Sequence, residues 1–463
     1  MTTRNTTKTK INATNVILHA FDWPYNRVTQ YAKDIAKAGY KAVLVSPPLK
    51  SYKHEDGTEW WQRYQPQDYR VIDNQLGNTE DFRKMTAILK EHDVHVYVDV
   101  VFNHMANESH LRQDLCFPSK QVMDEYQQSA ENYEDLKLFG DLTKPLFTER
   151  DFIKAFPIKN WTDPWEVQHG RISGGNEDPG LPTLKCNQNV VKQQRYYINS
   201  LKQLGIKGFR IDAAKHLTLE HIQLVWDTEI SADVHIFGEI ITDGGATKEE
   251  YELFLAPYLK GTSLGAYDFP LFHAMHNVFE KGQPMSELSN PYSVGQALAY
   301  DRAITFAITH DIPNNDVFLD QVMAQRHELF AYCYILGRDG GAPLVYSDLN
   351  TSKINDSQGL PRWKDNWNDP VLAQMISFHN LMQSLPMTIM SKGEDHLVFS
   401  RADKGIVAIN RGDQPLSITL PAGEFSLLMH SDENETLATE KITQQYTLSA
   451  QSCVMLVLTG LLD

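Results

Sequence analysis

Short β-branched or apolar runs alternate along this chain with longer amphipathic stretches, a pattern that predicts strands followed by helices. The runs are Val16–Phe21, Lys41–Ser46, Val94–Phe102, Gly208–Ala213, His235–Ile241, Ala266–Phe269, Ala303–Ile308 and Pro343–Tyr346. Helical patterns lie between most of them, among them Val28–Ala38, Thr79–Glu91 and Val190–Leu204. Thr79 is the candidate N-cap of the second, with acids in its first turn. In the third, Val191, Tyr197, Ile198, Leu201 and Leu204 recur at helical spacing. Runs that are apolar nearly throughout belong to a parallel sheet covered on both faces. Eight strand–helix steps in this order suggest an α/β protein built as a (β/α)8 barrel, although the pattern alone leaves a doubly wound open sheet almost as compatible.

Two stretches break the alternation. More than eighty residues separate His104, at the end of the third run, from the helix beginning near Val190, far beyond an ordinary strand–helix loop. Their content is aromatic, acidic and Gly-rich (Trp161, Trp165, Gly174, Gly175), which predicts an inserted small domain over 105–189. The barrel then comprises 1–104 and 190–384. From 385 to 463 the pattern changes to short alternating strands with polar turns: His396–Phe399, Gly405–Asn410, Leu416–Leu420, Phe425–Met429 and Val454–Leu458. These predict a C-terminal antiparallel β-sandwich domain.

Composition narrows the function classes. A chain of 463 residues exceeds one ordinary hydrophobic core unless that core is a large barrel with an appendage. An apolar content of 42%, with 10% aromatic, supplies a packed interior and excludes a mainly disordered chain. Fifty-nine acids against 43 bases leave a net charge of −16, and no run of Lys or Arg offsets it. Neither nucleic acid nor an anionic membrane surface is therefore an expected partner. No stretch approaches ~20 uninterrupted apolar residues, so no membrane span is predicted. The polar opening MTTRNTTKTKINATN reads as a frayed tail without the apolar core of a secretory leader. Cys116, Cys186, Cys333 and Cys453 are scattered without a ligand pattern and read as free thiols, which favours the cytoplasm. Nothing points to a particular oligomeric state.

In a parallel barrel, reactive groups sit where strands end. The third run ends Asp99-Val100-Val101-Phe102-Asn103-His104, and the fourth reads Gly208-Phe209-Arg210-Ile211-Asp212-Ala213-Ala214-Lys215-His216. The fifth carries Phe237-Gly238-Glu239-Ile240, and the seventh ends Ile308-Thr309-His310-Asp311. Three carboxylates, Asp212, Glu239 and Asp311, thus fall at the tips of strands four, five and seven, with His104 and His310 nearby. Cleaving a glycosidic bond with retention needs a carboxylate nucleophile and a carboxylic acid ~5–5.5 Å away. Neighbouring strands, ~4.8 Å apart, can supply that spacing. Arg210 shares a strand face with Asp212 and is expected to hold it ionised. The apolar neighbours of Glu239 are expected to raise its pKa and keep the proton an acid must deliver. Asp311 is expected to bind sugar hydroxyls and stabilise positive charge at the anomeric carbon.

These residues carry a resemblance. Asp99–His104, Gly208–His216, Phe237–Ile240 and Thr309–Asp311 resemble, in order, the four signature regions of the α-amylase family, glycoside hydrolase family 13. The resemblance extends over nearly the whole chain. It implies a (β/α)8 TIM barrel, with 105–189 as the family's domain B and the C-terminal module as its domain C. It implies Asp212 as nucleophile, Glu239 as general acid/base, Asp311 as third carboxylate, Arg210 as the nucleophile's partner, and His104 and His310 as sugar ligands. Trp60-Trp61-Gln62-Arg63-Tyr64-Gln65-Pro66 is similar to the loop after strand two in animal-type and related bacterial members, where an aromatic stacks on sugar, so Trp60, Trp61, Tyr64 and Gln65 join the substrate-binding candidates. Lys215 and His216 resemble the pair lining the leaving-group side. The activity implied is endo-cleavage of α-1,4 links in starch, glycogen or maltooligosaccharides; the alternative is a cyclodextrin- or maltooligosaccharide-degrading enzyme, or a glucanotransferase, of the same family.

Two departures concern ions. The family's calcium site uses an asparagine, here Asn103, a carbonyl near His216, and an aspartate in an LPDL-like segment. This chain reads Leu181-Pro182-Thr183-Leu184-Lys185, with Asp178 or Glu177 as the acids left to substitute. Losing a carboxylate and gaining a cation weakens a Ca²⁺ site, so no required cofactor is expected; a calcium, if held, would take Asn103, His216 and Asp178. Thr309 replaces the asparagine that precedes the histidine in chloride-dependent members, so chloride activation is not expected.

Overall fold

The computed structural model describes residues 14–54, 57–175, 177–432 and 441–461. The polar tail read from the sequence falls, up to residue 13, outside the described residues. Each of the eight apolar runs is a strand: β1 (Ile17–Ala20), β2 (Ala42–Val45), β3 (His95–Val101), β4 (Gly208–Asp212), β5 (His235–Gly238), β6 (Gly265–Tyr267), β7 (Ala303–Phe306) and β8 (Ala342–Ser347). They pair in parallel and in sequence order, and β1 closes on β8, which makes a barrel rather than an open sheet. Nearly every strand residue is buried, as expected of strands with side chains facing either the barrel interior or the helical layer. Gly208 opens β4 opposite Tyr97 of β3, and a Cβ there would stand 2.3 Å from the Tyr97 ring; only glycine lets that tyrosine fill the space.

The helices form where the 3.6-residue pattern places them: α1 (Tyr25–Lys37) and α2 (Thr79–Glu91) flank β2, and Gln188–Gln203 precedes β4. The N-cap of α2 is Asn78, not Thr79. The Asn78 side chain accepts from the Glu80 and Asp81 amides at 2.9 and 3.0 Å, and the Asp81 carboxylate accepts from the Asn78 amide, completing a capping box. Thr79 is buried, and its hydroxyl accepts from the Ile72 amide instead.

Between β3 and the helix at Gln188 the chain leaves the barrel. It forms helices Lys120–Gln128, Ala130–Leu136 and Pro164–His169, with Val122, Tyr126, Tyr133 and Leu142 clustered on Val71 of the β2–α2 segment. At the other end of the chain, β9 (Met387–Lys392), β10 (His396–Arg401), β11 (Gly405–Asn410), β12 (Leu416–Thr419), β13 (Phe425–His430), β14 (Gln445–Leu448) and β15 (Ser452–Leu458) form a five-stranded antiparallel sheet, β9-β10-β11-β15-β13, and a two-stranded one, β12-β14. The sequence pattern did not show β9 and β14. β9 is half or fully exposed at every position, and β14 is the largely polar Gln-Tyr-Thr-Leu, so neither carries a clear buried face. No helix among the described residues is long and apolar enough to cross a membrane.

Candidate active site

The C-terminal ends of the barrel strands converge on one buried cation, Arg210 of β4. Its Nη1 lies 2.8 Å from Asp212 Oδ1 and 2.9 Å from Asp99 Oδ1. Its Nη2 donates to Glu239 Oε1 and stands 3.7 Å from Asp311 Oδ2. Asp99 arrives because the β3–β4 register places it directly beside Arg210. Glu239 arrives because β5 pairs with β4 through Ile211 and Gly238, so the next residues, Asp212 and Glu239, stand at the same height on adjacent strands. Ala213 then turns the chain into the left-handed region (φ 48°, ψ 38°), at a cost of ~1–2 kcal/mol for a residue with a side chain. That turn aims its amide at Glu239 Oε2, 3.0 Å away.

Four carboxylates sharing one guanidinium have a consequence the sequence reading got the other way round. Asp212 is not held ionised: burial, together with the charges of Glu239 and Asp99, lifts its pKa to about 8 despite Arg210. Burial also works against ionisation of Glu239, but Arg210, a hydrogen bond from Asp311 and the Ala213 amide outweigh it and set its pKa below the usual value, not above. Burial and the adjacent Glu239 push Asp311 well above its ordinary range, and burial lifts Asp99 to about 6. The expectation assumed Arg210 for Asp212 alone and an apolar frame for Glu239. In the folded chain Arg210 serves Asp99, Asp212 and Glu239 together, and Glu239 is hydrogen-bonded to Asp311, whose pKa burial and the adjacent charge raise. Asp99, quoted in the motif but not singled out, is the fourth member; only its cross-strand register with Arg210 gives it that place.

Aromatic rings line one side of this cluster. The His310 ring lies between Phe21 (4.4 Å, 19°) and Tyr64 (5.5 Å, 17°), with Trp60 edge-on at 5.8 Å. The Tyr64 hydroxyl donates to Asp99 Oδ2 at 2.7 Å. The turn that carries them, Trp60–Tyr64, is tied to the end of β1 by a two-point contact of Arg63 with Asp22 (2.7 and 2.6 Å). Trp61 is exposed and lies nearly parallel to Tyr52. Gln65 faces away from the carboxylates, its Oε1 accepting from the Asn107 amide. His104 is buried and its pKa falls to about 4, so it is neutral; Nε2 donates to the Tyr64 carbonyl and Nδ1 faces the Asn103 amide. Both of its ring nitrogens thus have protein partners. On the other side, Lys215 Nζ pairs with Glu250 at 2.6 Å, and His216 Nδ1 meets the Val167 carbonyl at 2.9 Å. Burial brings His216 to about 4 as well, so Nδ1 carries the proton and Nε2 is left as an acceptor.

The residues do not fit the calcium that the resemblance implies. The Thr183 hydroxyl donates to the Gly170 carbonyl at 2.9 Å, and the Lys185 ammonium donates to the Arg150 carbonyl at 3.2 Å. Asp178 Oδ1 accepts from the Gly180 amide and the Asn107 side chain, away from Asn103. The cavity of about 420 Å³ that Asn103 and His216 share is lined by Lys185 and by no carboxylate. A hard dication asks for six to eight oxygens with anionic charge among them, and this cavity offers a cation instead.

A family model described as "Alpha amylase, catalytic domain" matches residues 26–259. An α-amylase of Aeromonas hydrophila is 46% identical over 423 residues, covering 91% of this chain and 90% of that protein. One from Thermomonospora curvata is 26% identical and covers 89% of this chain and 67% of its own length. Among solved structures, the E249Q mutant of α-amylase I from Eisenia fetida, complexed with maltohexaose, superposes with a TM-score of 0.72 at 20% identity, covering 96% and 95% of the two chains. A γ-cyclodextrin glucanotransferase of Bacillus clarkii gives 0.73 at 17% identity, over 97% of this chain and 71% of that one. At such identities the structures speak for the shared fold alone.

Proposed function

Because the chain belongs to the α-amylase family and is a glycoside hydrolase, we propose that it cleaves internal α-1,4 links of starch, glycogen or maltooligosaccharides with retention, through Asp212 and Glu239. The observation that carries this reading is Arg210 holding Asp212 with one terminal nitrogen and Glu239 with the other, from equivalent heights on β4 and β5. Adjacent strands ~4.8 Å apart match the close carboxylate spacing of a covalent, retaining route rather than the wider gap that admits a water. Asp212 first gives up its proton to solvent, and its carboxylate then attacks the anomeric carbon while a proton passes to the glycosidic oxygen and the leaving sugar departs. Water, deprotonated by Glu239, then releases the sugar from Asp212 with a second inversion.

The proton has a source in the free protein. Burial and the neighbouring Glu239 raise the proton affinity of Asp311, and its carboxyl is hydrogen-bonded to Glu239. A sugar hydroxyl that donates to Asp311 stabilises its ionised form, and the proton transfers along the existing hydrogen bond to Glu239, which is then the acid. Positive charge developing at the anomeric carbon sits against a cluster with more carboxylates than cations, which lowers the barrier electrostatically. No step runs through a metal. A cytoplasmic setting belongs to the same reading and rests on four free thiols.

Asp212→Asn tests the assignment. The variant should keep its fold, because an amide can still accept from Arg210, and should lose starch hydrolysis by several orders of magnitude. Proton NMR of the first wild-type product should show the α-anomer before mutarotation. Turnover near wild type in the variant, or a β-anomer from the wild type, would overturn the mechanism.

A further inference from the structure

The end of the barrel away from the carboxylates carries a groove. Thr14, Tyr300 and Gly340 lie just before β1, β7 and β8, so they mark the N-terminal ends of the strands. Against them lies the chain from Ser384 through β9, and two adjoining cavities of about 410 and 500 Å³ are left between. Arg338 and Asp339 line both. A close turn shapes the groove. The Gly341 amide donates to the Tyr300 carbonyl at 2.8 Å, and a Cβ on Gly340 would stand only 2.8 Å from Tyr300 Cβ. Tyr300 itself stands at the rim, 68% exposed.

Arg338 follows the helix Gln325–Gly337, and its guanidinium packs over the Tyr334 ring, 5.4 Å from the centroid. Its Nε is shut off from solvent and has no hydrogen-bond partner among the described residues. A buried donor left in that state is costly unless a ligand or water meets it. The charges facing the groove do not balance either. Arg338, Lys392 and Arg401 line it against one carboxylate, Asp339, among the described residues. Arg401 spends its N–H groups on backbone carbonyls and contributes charge alone. Asp339 already accepts from the Met387 amide at 2.7 Å. His379 adds nothing, because burial brings its pKa to about 4. Two positive charges therefore remain in one groove of a chain whose net charge is −16.

We propose that this groove is a phosphate-binding site, in which Arg338 takes the phosphate group of a small ligand, free or carried on a hexose whose ring lies on Tyr300. A phosphate monoester near neutral pH carries close to two negative charges, which matches the surplus. The planar guanidinium offers paired N–H groups to such an oxyanion, and its Nε gains the acceptor it lacks. The exposed phenol ring gives the CH face of a sugar a flat surface. Cavities of this size are those that small ligands fill. The site lies at the other end of the barrel from Asp212 and Glu239, so it stands whether or not the hydrolytic mechanism does.

Melting temperature near neutral pH, with inorganic phosphate, glucose 6-phosphate or glucose and the ionic strength held with sodium chloride, tests this. Phosphate strengthens apolar burial in any protein by exclusion from its surface, so each shift is compared with that of Arg338→Gln. Both phosphates should raise the wild-type value along a saturating curve, glucose should not, and Arg338→Gln should lose the saturating part. In calorimetric titration Arg338→Gln should bind phosphate about tenfold more weakly, roughly one charge-assisted contact, while its kcat/KM on starch stays that of wild type. Arg338→Lys, which keeps the charge without the fork, should recover part of the binding. Tyr300→Ala separates the two sources: weaker binding of glucose 6-phosphate alone identifies a hexose-borne phosphate, and unchanged binding of both identifies free phosphate. Equal shifts and equal titrations in wild type and Arg338→Gln overturn the proposal and leave the hydrolase reading untouched.

Discussion

Arg210 shows how far a single residue's neighbours control its chemistry. One guanidinium cannot neutralise Asp99, Asp212, Glu239 and Asp311 together, so the folded protein keeps protons that the unfolded chain would release. Asp212 has an ordinary value of 3.8 and a folded value of about 8. Its contribution to stability is complete below about pH 4 and is lost as pH rises towards 8. Asp99 raises the Asp212 pKa by its charge, so Asp99→Asn should move the acidic limb of the kcat/KM profile to lower pH. Initial rates on a soluble maltooligosaccharide between pH 4 and 9 check this. A limb that stays in place would mean that Asp99 is already neutral where Asp212 titrates, and one that moves up would mean that Asp99 acts on Asp212 chiefly by positioning Arg210.

At the scale of the element, caps and turns aim the strand ends. The box formed by Asn78 and Asp81 starts α2, which packs beside the β2–β3 pair that delivers Asp99. Asn78→Ala should cost about 1 kcal/mol, read as a lower urea midpoint with an unchanged slope. Thr79→Ala should leave the cap itself whole, since the Thr79 hydroxyl serves the Ile72 amide. A larger loss for Thr79→Ala than for Asn78→Ala would show that burial at the helix start outweighs the cap. The Trp60–Tyr64 turn depends in the same way on Arg63, whose partner Asp22 lies just past β1 and far away in sequence.

Across the whole molecule, both outlying segments are joined to the barrel by backbone carbonyls that find donors. The 105–189 segment meets the chain just past β3 through the Leu184 amide on the Asn103 carbonyl, with the Met105 amide on the Pro182 carbonyl and Thr183 on Gly170 bonded within it. The C-terminal sheet is tied down by Arg401 of β10, which donates to the carbonyls of Gly337, Arg338, Met382 and Leu385; its burial lowers its pKa to about 10. Direct bonds leave a calcium ion nothing to join, so melting temperature and starch hydrolysis should agree between excess EDTA and millimolar Ca²⁺. A large fall in both with EDTA, restored by calcium, would mean that acids such as Asp178 move in to ligate it, because a ligand bound only by the folded state stabilises it by mass action.

The amino-acid sequence by itself determined the eight barrel strands, because strands buried on both faces must be apolar nearly throughout, and that signal is local. It also put Asp212, Glu239 and Asp311 at strand ends, where a closed barrel brings them to one face. Edge strands such as Met387–Lys392 left no such mark, since an exposed strand has no face to bury. Only the tertiary structure decided which carboxylates share the cation and in which direction each pKa moves. Charge interactions depend on distance through the barrel, and residues such as Asp99, Arg210 and Glu239, far apart in the chain, come within hydrogen-bonding reach only when strand register is set.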